Sequence, residues 1–236
     1  MGARVSAVAA RDERPLTVRL KTKKNRTVSQ KRWLERQLND PYVARAKREG
    51  MRSRAAYKLI EIDDKYRLLR PGARVVDLGA APGGWSDVAA KRVGAAEGKG
   101  KVVAIDILEM TPIAGVAFRQ LDFLDPQAPA ALEEMLGGGA DLVLSDMAAN
   151  ATGHKKTDQL KIMALVEAGI EFARAVLRPG GSFLTKVLQG GTEPKLLAEL
   201  KRDYATVRHV KPQASRADSS ELYLLATGFR GSARGA

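Results

Sequence analysis

The chain contains no cysteine, which excludes disulfides, thiolate metal sites and a cysteine nucleophile. Histidine is almost as scarce. His154 and His209 are the only two, which argues against a histidine-built metal centre or hydrolytic triad. No apolar stretch approaches the roughly 18 residues that a helix needs to cross a bilayer. Residues 1–10 are only weakly apolar and run into Arg11-Asp-Glu-Arg14, so they do not read as a secretory leader. A soluble cytoplasmic protein with no membrane partner is the expectation. Acidic residues are also short, but only in one region. Residues 1–60 hold 17 Lys and Arg against 5 Asp and Glu, while the remainder holds 23 against 22, so nearly all of the net charge of +13 is N-terminal. Such a block suits a polyanion, through phosphate neutralisation and counterion release. The plain alternative is a solvated tail with no specific partner. No amphipathic apolar face accompanies the charge, so a membrane surface fits less well.

What is present is enough for one domain and an appendage: 236 residues, 44% of them hydrophobic. Residues 1–30 predict a basic arm without a fold of its own. Residues 31–70 predict helices, with Asp40 as a cap before Pro41 and Ser53 as the cap of a helix over 54–66. From residue 71 to 230 the pattern is α/β. Strands are predicted at 75–78, 101–106, 116–118, 140–146, 182–187, 205–210 and 221–226, with helices at 85–93, 126–136, 158–177 and 193–204. Arg178-Pro-Gly-Gly181 reads as a stop, and 231–236 as a flexible tail. Strands alternating with helices of this length imply a parallel sheet covered on both faces. The final two strands are separated only by residues 211–220, too short for a crossover, so they form an antiparallel pair. The expected fold is α/β and Rossmann-like: a mostly parallel seven-stranded sheet whose last strand is antiparallel, the shape of the class I methyltransferases.

Asp77-Leu-Gly-Ala-Ala-Pro-Gly-Gly-Trp-Ser86 follows the first strand and opens a helix. Glycines let a ligand approach the backbone, and the helix start offers free N–H groups to an anion. The spacing of Gly79, Gly83 and Gly84, with Pro82 in the turn, is neither a dinucleotide fingerprint nor a P-loop. Asp106 ends the second strand, where an acid can accept both hydroxyls of a ribose. Asp122 lies just past the third strand, placed to bond an adenine amino group. Taken singly, Asp106 and Asp122 read as solvated loop carboxylates; together with the loop they point to an adenosine-type ligand.

The loop resembles the cofactor motif of the FtsJ/RrmJ family of 2′-O-ribose methyltransferases, over about residues 30–229. The resemblance implies S-adenosylmethionine as cofactor, held by the loop residues Asp77, Gly79, Pro82, Gly83, Gly84 and Trp85 and by Asp106, Asp122 and Asp146. It also implies a catalytic Lys-Asp-Lys-Glu tetrad, matched by Lys58, Asp146, Lys186 and Glu221. A lysine inside an apolar strand, as Lys186 is, is rare without a partner. A ribose hydroxyl must lose its proton as it attacks a sulfonium methyl, and burial or a nearby cation makes a lysine a usable base. In this reading Lys186 is the base and Asp146 orients it and the cofactor. Lys58 assists Lys186 or holds the hydroxyl, and Glu221 is auxiliary. A purely structural Lys186–Asp146 ion pair is the competing reading. The family motif carries a proline where this chain has Ala149.

Trp85, Tyr57 and Tyr223 are candidates for stacking on bases, with packing against cofactor or core as the alternative. Arg216 and Lys155-Lys156 are candidate RNA contacts or ordinary loop charges. The absence of cysteine argues against cytosine C5 methylation, and Asp146-Met-Ala-Ala is not the motif of an adenine N6 methyltransferase. The resemblance implies RNA as partner and a uridine in the A loop of 23S ribosomal RNA in the large ribosomal subunit as target; a monomer is expected. A tRNA target, a non-catalytic ribosome-assembly protein on the same fold and a dehydrogenase-type nucleotide binder are the alternatives. No metal site is expected.

Overall fold

The computed structural model describes residues 27–149, 154–189 and 194–231. The expected arm therefore lies outside the described residues except at its end, and so does the tail beyond Gly231. The chain divides into two compact units, one up to Gly50 and one from Met51 onward.

The first unit holds helices α1 (Val28–Leu38) and α2 (Pro41–Glu49). Thr27 and Gln30 form a capping box at the start of α1, satisfying two N–H groups that a helix start leaves open. Asp40 caps α2 by accepting from the N–H groups of Tyr42 and Val43 at 3.0 and 3.4 Å, with Pro41 at the first helical position, as the sequence predicts.

The second unit begins with α3 (Ala55–Tyr66) and continues through β1 (Arg74–Leu78), α4 (Gly84–Val93), β2 (Lys101–Asp106), β3 (Val116–Gln120), α5 (Ala128–Leu136), β4 (Ala140–Ser145), α6 (Lys155–Val176), β5 (Leu177–Leu188), α7 (Pro194–Asp203), β6 (Tyr204–Val210) and β7 (Glu221–Phe229). The strands form one seven-stranded sheet in the order β3-β2-β1-β4-β5-β7-β6. The ladders from β3 to β5 are parallel, and β7 runs antiparallel to both β5 and β6. The seven strands and the antiparallel final pair match the expectation.

Strand alternation sends neighbouring side chains to opposite faces. Val76, Leu78, Val103, Val143, Phe183 and Leu224 join the core beneath α5, α6 and α7. Val75, Val102, Leu142, Leu144, Leu184 and Tyr223 join the core beneath α3 and α4. Lys186, two residues beyond Leu184, faces α3 and α4 in consequence. Among the described residues no helix is long and apolar enough to cross a membrane.

Two expectations need correction. Ser53 does not cap α3; the N-cap is Arg54, with no side-chain capping bond. The Ser53 hydroxyl is buried without a hydrogen-bond partner and lies where a Cβ on Gly84 would come within 2.3 Å of it. It fills the space beside that glycine instead of bonding the helix. Helix α6 ends at Val176, just before Arg178-Pro-Gly-Gly181, as that stop predicts, but the four residues belong to β5, which begins at Leu177 and not at Ser182. Ala140 pairs with Leu177 and Leu142 with Ser182, so the extra residues are absorbed where Gly180 adopts a φ of 84°.

Candidate active site

Parallel strands bring their C-terminal ends to one edge of the sheet, the edge where α/β folds bind ligands. Here β1 delivers Asp77 and the glycine loop, β2 delivers Asp106, β4 delivers Asp146, and β5 delivers Lys186. Because β7 runs the other way, its first residue, Glu221, pairs with Leu188 and reaches the same edge.

The loop is tied down by its neighbours. Gly79 and Ala80 donate their N–H groups to the Ile105 carbonyl at 2.9 and 3.1 Å, and Gly83 donates to the Ala80 carbonyl at 2.7 Å around a cis Ala81–Pro82 peptide. Gly79 has a φ of 77°, and a Cβ there would come within 2.7 Å of Met147. The Asp146 N–H bonds the Leu78 carbonyl at 3.2 Å. The residues after β4 are thus packed on the loop after β1, which places Asp146 beside it.

The acids differ in environment. Asp77 is fully buried. Its Oδ2 accepts from the Ser86 hydroxyl at 2.6 Å, and its Oδ1 has no partner. Burial raises its pKa to about 7, and the charges of Asp146 and Asp106 push the same way against the Ser86 bond. Asp106 accepts from the Ala81 and Leu108 N–H groups, both at 2.8 Å, which fixes its carboxylate at the loop. The Leu121 N–H bonds the Asp106 carbonyl at 2.9 Å and brings Asp122 alongside. Ile107, Leu108 and Leu124, next to these two acids, expose 56, 62 and 55% of their surfaces.

These features fit S-adenosylmethionine. Gly83, the N-cap of α4, has no side chain to cap the helix, so the first N–H groups of α4 are open to a carboxylate. Asp77 keeps an unpartnered buried oxygen, and Asp106 and Asp122 sit among exposed apolar side chains suited to an adenosine. The Trp85 side chain is only 2% exposed. Its indole N–H donates to the Ala55 carbonyl at 2.9 Å, and its ring lies 5.6 Å from that of Tyr223. What Trp85 offers a ligand is therefore its backbone. Tyr57 is buried as well. Among the described residues no group of three or more acids and histidines is arranged to hold a metal.

The four residues of the tetrad come together as two ion pairs joined by a tyrosine. Lys186 Nζ lies 3.2 Å from Asp146 Oδ1 and donates to the Asp146 carbonyl at 2.6 Å. Lys58 Nζ, on α3, lies 3.1 Å from Glu221 Oε2. Both lysines are buried. Burial pushes the Glu221 carboxyl up, but Lys58, with help from Lys186 and Arg54, outweighs it and holds the group below its ordinary range. Tyr223 lies between the pairs. Its hydroxyl donates to Asp146 Oδ1 at 2.9 Å, and Lys58 Nζ stands 5.6 Å from its ring centroid. Burial, then the Asp146 charge, pushes the phenol well above its ordinary value, so it stays a proton donor to Asp146.

Sequence reasoning listed Tyr223 only as a stacking or packing residue and missed this bond. Part of the signal lay in the sequence, where Glu221 and Tyr223 are two apart and share a face; that Lys186 is the cross-strand partner of Tyr223 appears only in the folded sheet. It also missed Arg52, which donates to the Thr111 and Pro112 carbonyls at 2.8 and 2.7 Å and ties down the segment after β2. Arg216 lies in the 211–220 loop, which α3 anchors: Arg54 bonds the Ala214 carbonyl, and Glu61 accepts the Ala214 N–H at 3.1 Å. Lys155 and Lys156 fall where side chains lie outside the described part of the structure.

The sequence profile of the FtsJ-like methyltransferases matches residues 51–229. Ribosomal RNA large subunit methyltransferase E of Azorhizobium caulinodans is 70% identical over 222 residues, covering 94% of this chain and 92% of that protein. The protein of the same name from Xanthobacter autotrophicus is 71% identical over 222 residues, covering 94% and 87%. A crystal structure of a ribosomal RNA methyltransferase from Plasmodium falciparum superposes with a TM-score of 0.67 at 32% identity, covering 76% of this chain and 99% of that one.

Proposed function

Since the chain belongs to the FtsJ-like methyltransferase family, we propose that it methylates a ribose 2′-hydroxyl of large-subunit ribosomal RNA, with S-adenosylmethionine as donor. The observation that carries this reading is the buried Lys186 amine, held 3.2 Å from Asp146 beside the glycine loop. A pure RNA binder has no use for a buried lysine at a strand end. The donor supplies a methyl group activated by its sulfonium charge. Asp106 and Asp122 would hold its adenosine, and the α4 N-terminus behind Gly83 would hold its carboxylate.

Lys186, having first released its own ammonium proton to solvent, accepts the proton of the 2′-hydroxyl at Nζ. Asp146 stabilises the ammonium that results and is itself steadied by Tyr223. Lys58, neutralised by Glu221, keeps a second cation close without leaving a buried charge unpaired. A hydroxyl held near Lys58 and Lys186 is oriented for attack before it loses its proton, which is where positioning lowers the barrier. The target is a uridine of the A loop in 23S ribosomal RNA within the large ribosomal subunit. The protein acts in the cytoplasm as a monomer, and the basic arm over residues 1–30 draws it to RNA.

The test is incubation with labelled S-adenosylmethionine and large ribosomal subunits, followed by alkaline digestion. A labelled alkali-resistant dinucleotide, mapped to one uridine by mass spectrometry, is the expected product. Label at a base, or no transfer at all, would remove the ribose reading.

A further inference from the structure

The opposite edge of the sheet, where the parallel strands begin, holds a cavity of about 820 Å³. Its wall is built from the end of α3, the segment leading to β1, the irregular start of β5 and the outer ends of β6 and β7. Lys65, Arg67, Arg70 and Arg208 line it, all exposed. None of the four pairs with a carboxylate among the described residues. The lining has one acid, Asp141, and it is already engaged: it accepts the Arg74 N–H at 2.8 Å and lies 3.6 Å from Arg178.

We propose that this cavity is a second RNA contact, which holds phosphodiester backbone away from the nucleotide being methylated; the inference rests on the reading that RNA is the substrate. A concave surface lined by unneutralised charge of one sign focuses its field and concentrates a polyanion there. The side chains suit ribose-phosphate in particular. The half-buried Tyr66 ring has Lys65 Nζ 5.3 Å and the Arg208 guanidinium 5.4 Å from its centroid, so an aromatic surface and two cations converge on one point, as at sites that track a nucleic-acid strand. The rim is backbone without obstruction: a Cβ on Gly180 would meet nothing within 4 Å.

The placement adds a length requirement. β1 has five residues, and at about 3.3 Å per residue a strand of that length separates the two edges by roughly 17 Å. A single nucleotide does not reach both, whereas a folded RNA does. The cavity therefore selects for the tertiary shape of the substrate, and the catalytic edge for the ribose.

The experiment compares two charge-matched variants of the full chain, Arg70→Ala with Arg208→Ala, and Lys195→Ala with Lys201→Ala on α7. Affinity for a transcript of large-subunit ribosomal RNA is measured from 50 to 300 mM salt. The cavity variant should show a log Kd against log salt slope shallower by about 1.5, as expected when two phosphate contacts are lost, and about tenfold weaker binding at the low-salt end. The α7 variant should keep the wild-type slope. Arg70→Lys with Arg208→Lys should restore it, because a phosphate accepts a point charge. An unchanged thermal midpoint and S-adenosylmethionine affinity certify the fold. Equal slopes for the two alanine variants would overturn the cavity as an RNA site while leaving methylation by the wild type untouched. A wild type that transfers no methyl group to ribosomal subunits would overturn the functional reading instead.

Discussion

Both edges of the sheet carry basic side chains, and they use them in opposite ways. At the C-terminal edge Lys58 and Lys186 are buried, and each is neutralised by a carboxylate, Glu221 and Asp146. At the N-terminal edge Lys65, Arg67, Arg70 and Arg208 are exposed and face no free acid. A buried charge must be paired or it destabilises the fold by several kcal/mol, so charge balance is the condition for putting lysines inside a reaction site. An exposed charge has no such requirement and is left open for a polyanion. On the proposed function one edge serves orientation and proton transfer, and on the further inference the other serves attraction.

The comparison breaks most sharply at Lys186. Lys186→Ala should lower kcat on the order of 10³-fold, the usual contribution of a positioned base, while S-adenosylmethionine affinity measured by calorimetry stays close to wild type. A variant with full kcat would reduce the Lys186–Asp146 pair to a structural one. Next in size is Asp77, the fully buried acid at the C-terminal edge. Its pKa is raised to about 7 in the folded chain, above the unfolded value, so the stability it permits is fully present below about pH 4 and is lost as pH rises through 7. Asp77→Asn, which can still accept from Ser86, should flatten urea unfolding between pH 4 and 8 and gain roughly 4 kcal/mol at the alkaline end. Parallel pH curves for the two proteins would show that Asp77 is not titrating there.

Much of this was legible in the sequence, for physical reasons that differ by element. The apolar runs of β1, β2 and β4 declare themselves because strands covered on both faces need no polar positions. Asp40 and Pro41 mark α2 because capping chemistry is local. Gly180 misled in part, because glycines that merely end a helix and a glycine bulge near the start of a strand read alike until the partner strand is seen. The tetrad was visible as a set of residues, but its wiring was not. The Tyr223 bond to Asp146 depends on the register between β5 and β7, and the burial of Asp77 depends on α4 folding back over β1. The cavity was wholly invisible, since residues near 66, 180, 208 and 227 meet only in three dimensions.

A smaller effect is expected at Lys58. Lys58→Met keeps the buried stem and removes the charge that chiefly holds the Glu221 carboxyl low. In the wild type that carboxylate contributes stability above its unfolded pKa, and the contribution is lost as pH falls through the depressed folded value. Without Lys58 the Glu221 pKa rises, so the acid limb of the kcat/KM profile should move to higher pH, with kcat down about 30-fold. An acid limb that does not move would separate Glu221 from the reaction.

Tyr223→Phe should have the smallest effect, and it tests whether charge balance alone suffices at the C-terminal edge. The ring keeps its packing against Trp85 and its place beneath Lys58, so the core is preserved. Only the hydroxyl that donates to Asp146 Oδ1 at 2.9 Å is lost. A hydrogen bond to a charged group is worth roughly 1.5–3 kcal/mol. The Lys186 amine still pairs with the same oxygen and recovers part of that. The net expectation is about a tenfold fall in kcat, with KM for RNA unchanged because no cation is removed. If kcat does not fall, pairing with Lys186 alone orients Asp146, and the tyrosine belongs to the packing of β7 rather than to the chemistry. If KM rises instead, the hydroxyl meets the RNA directly, and the division between an orienting edge and an attracting edge is less sharp than the ion pairs imply.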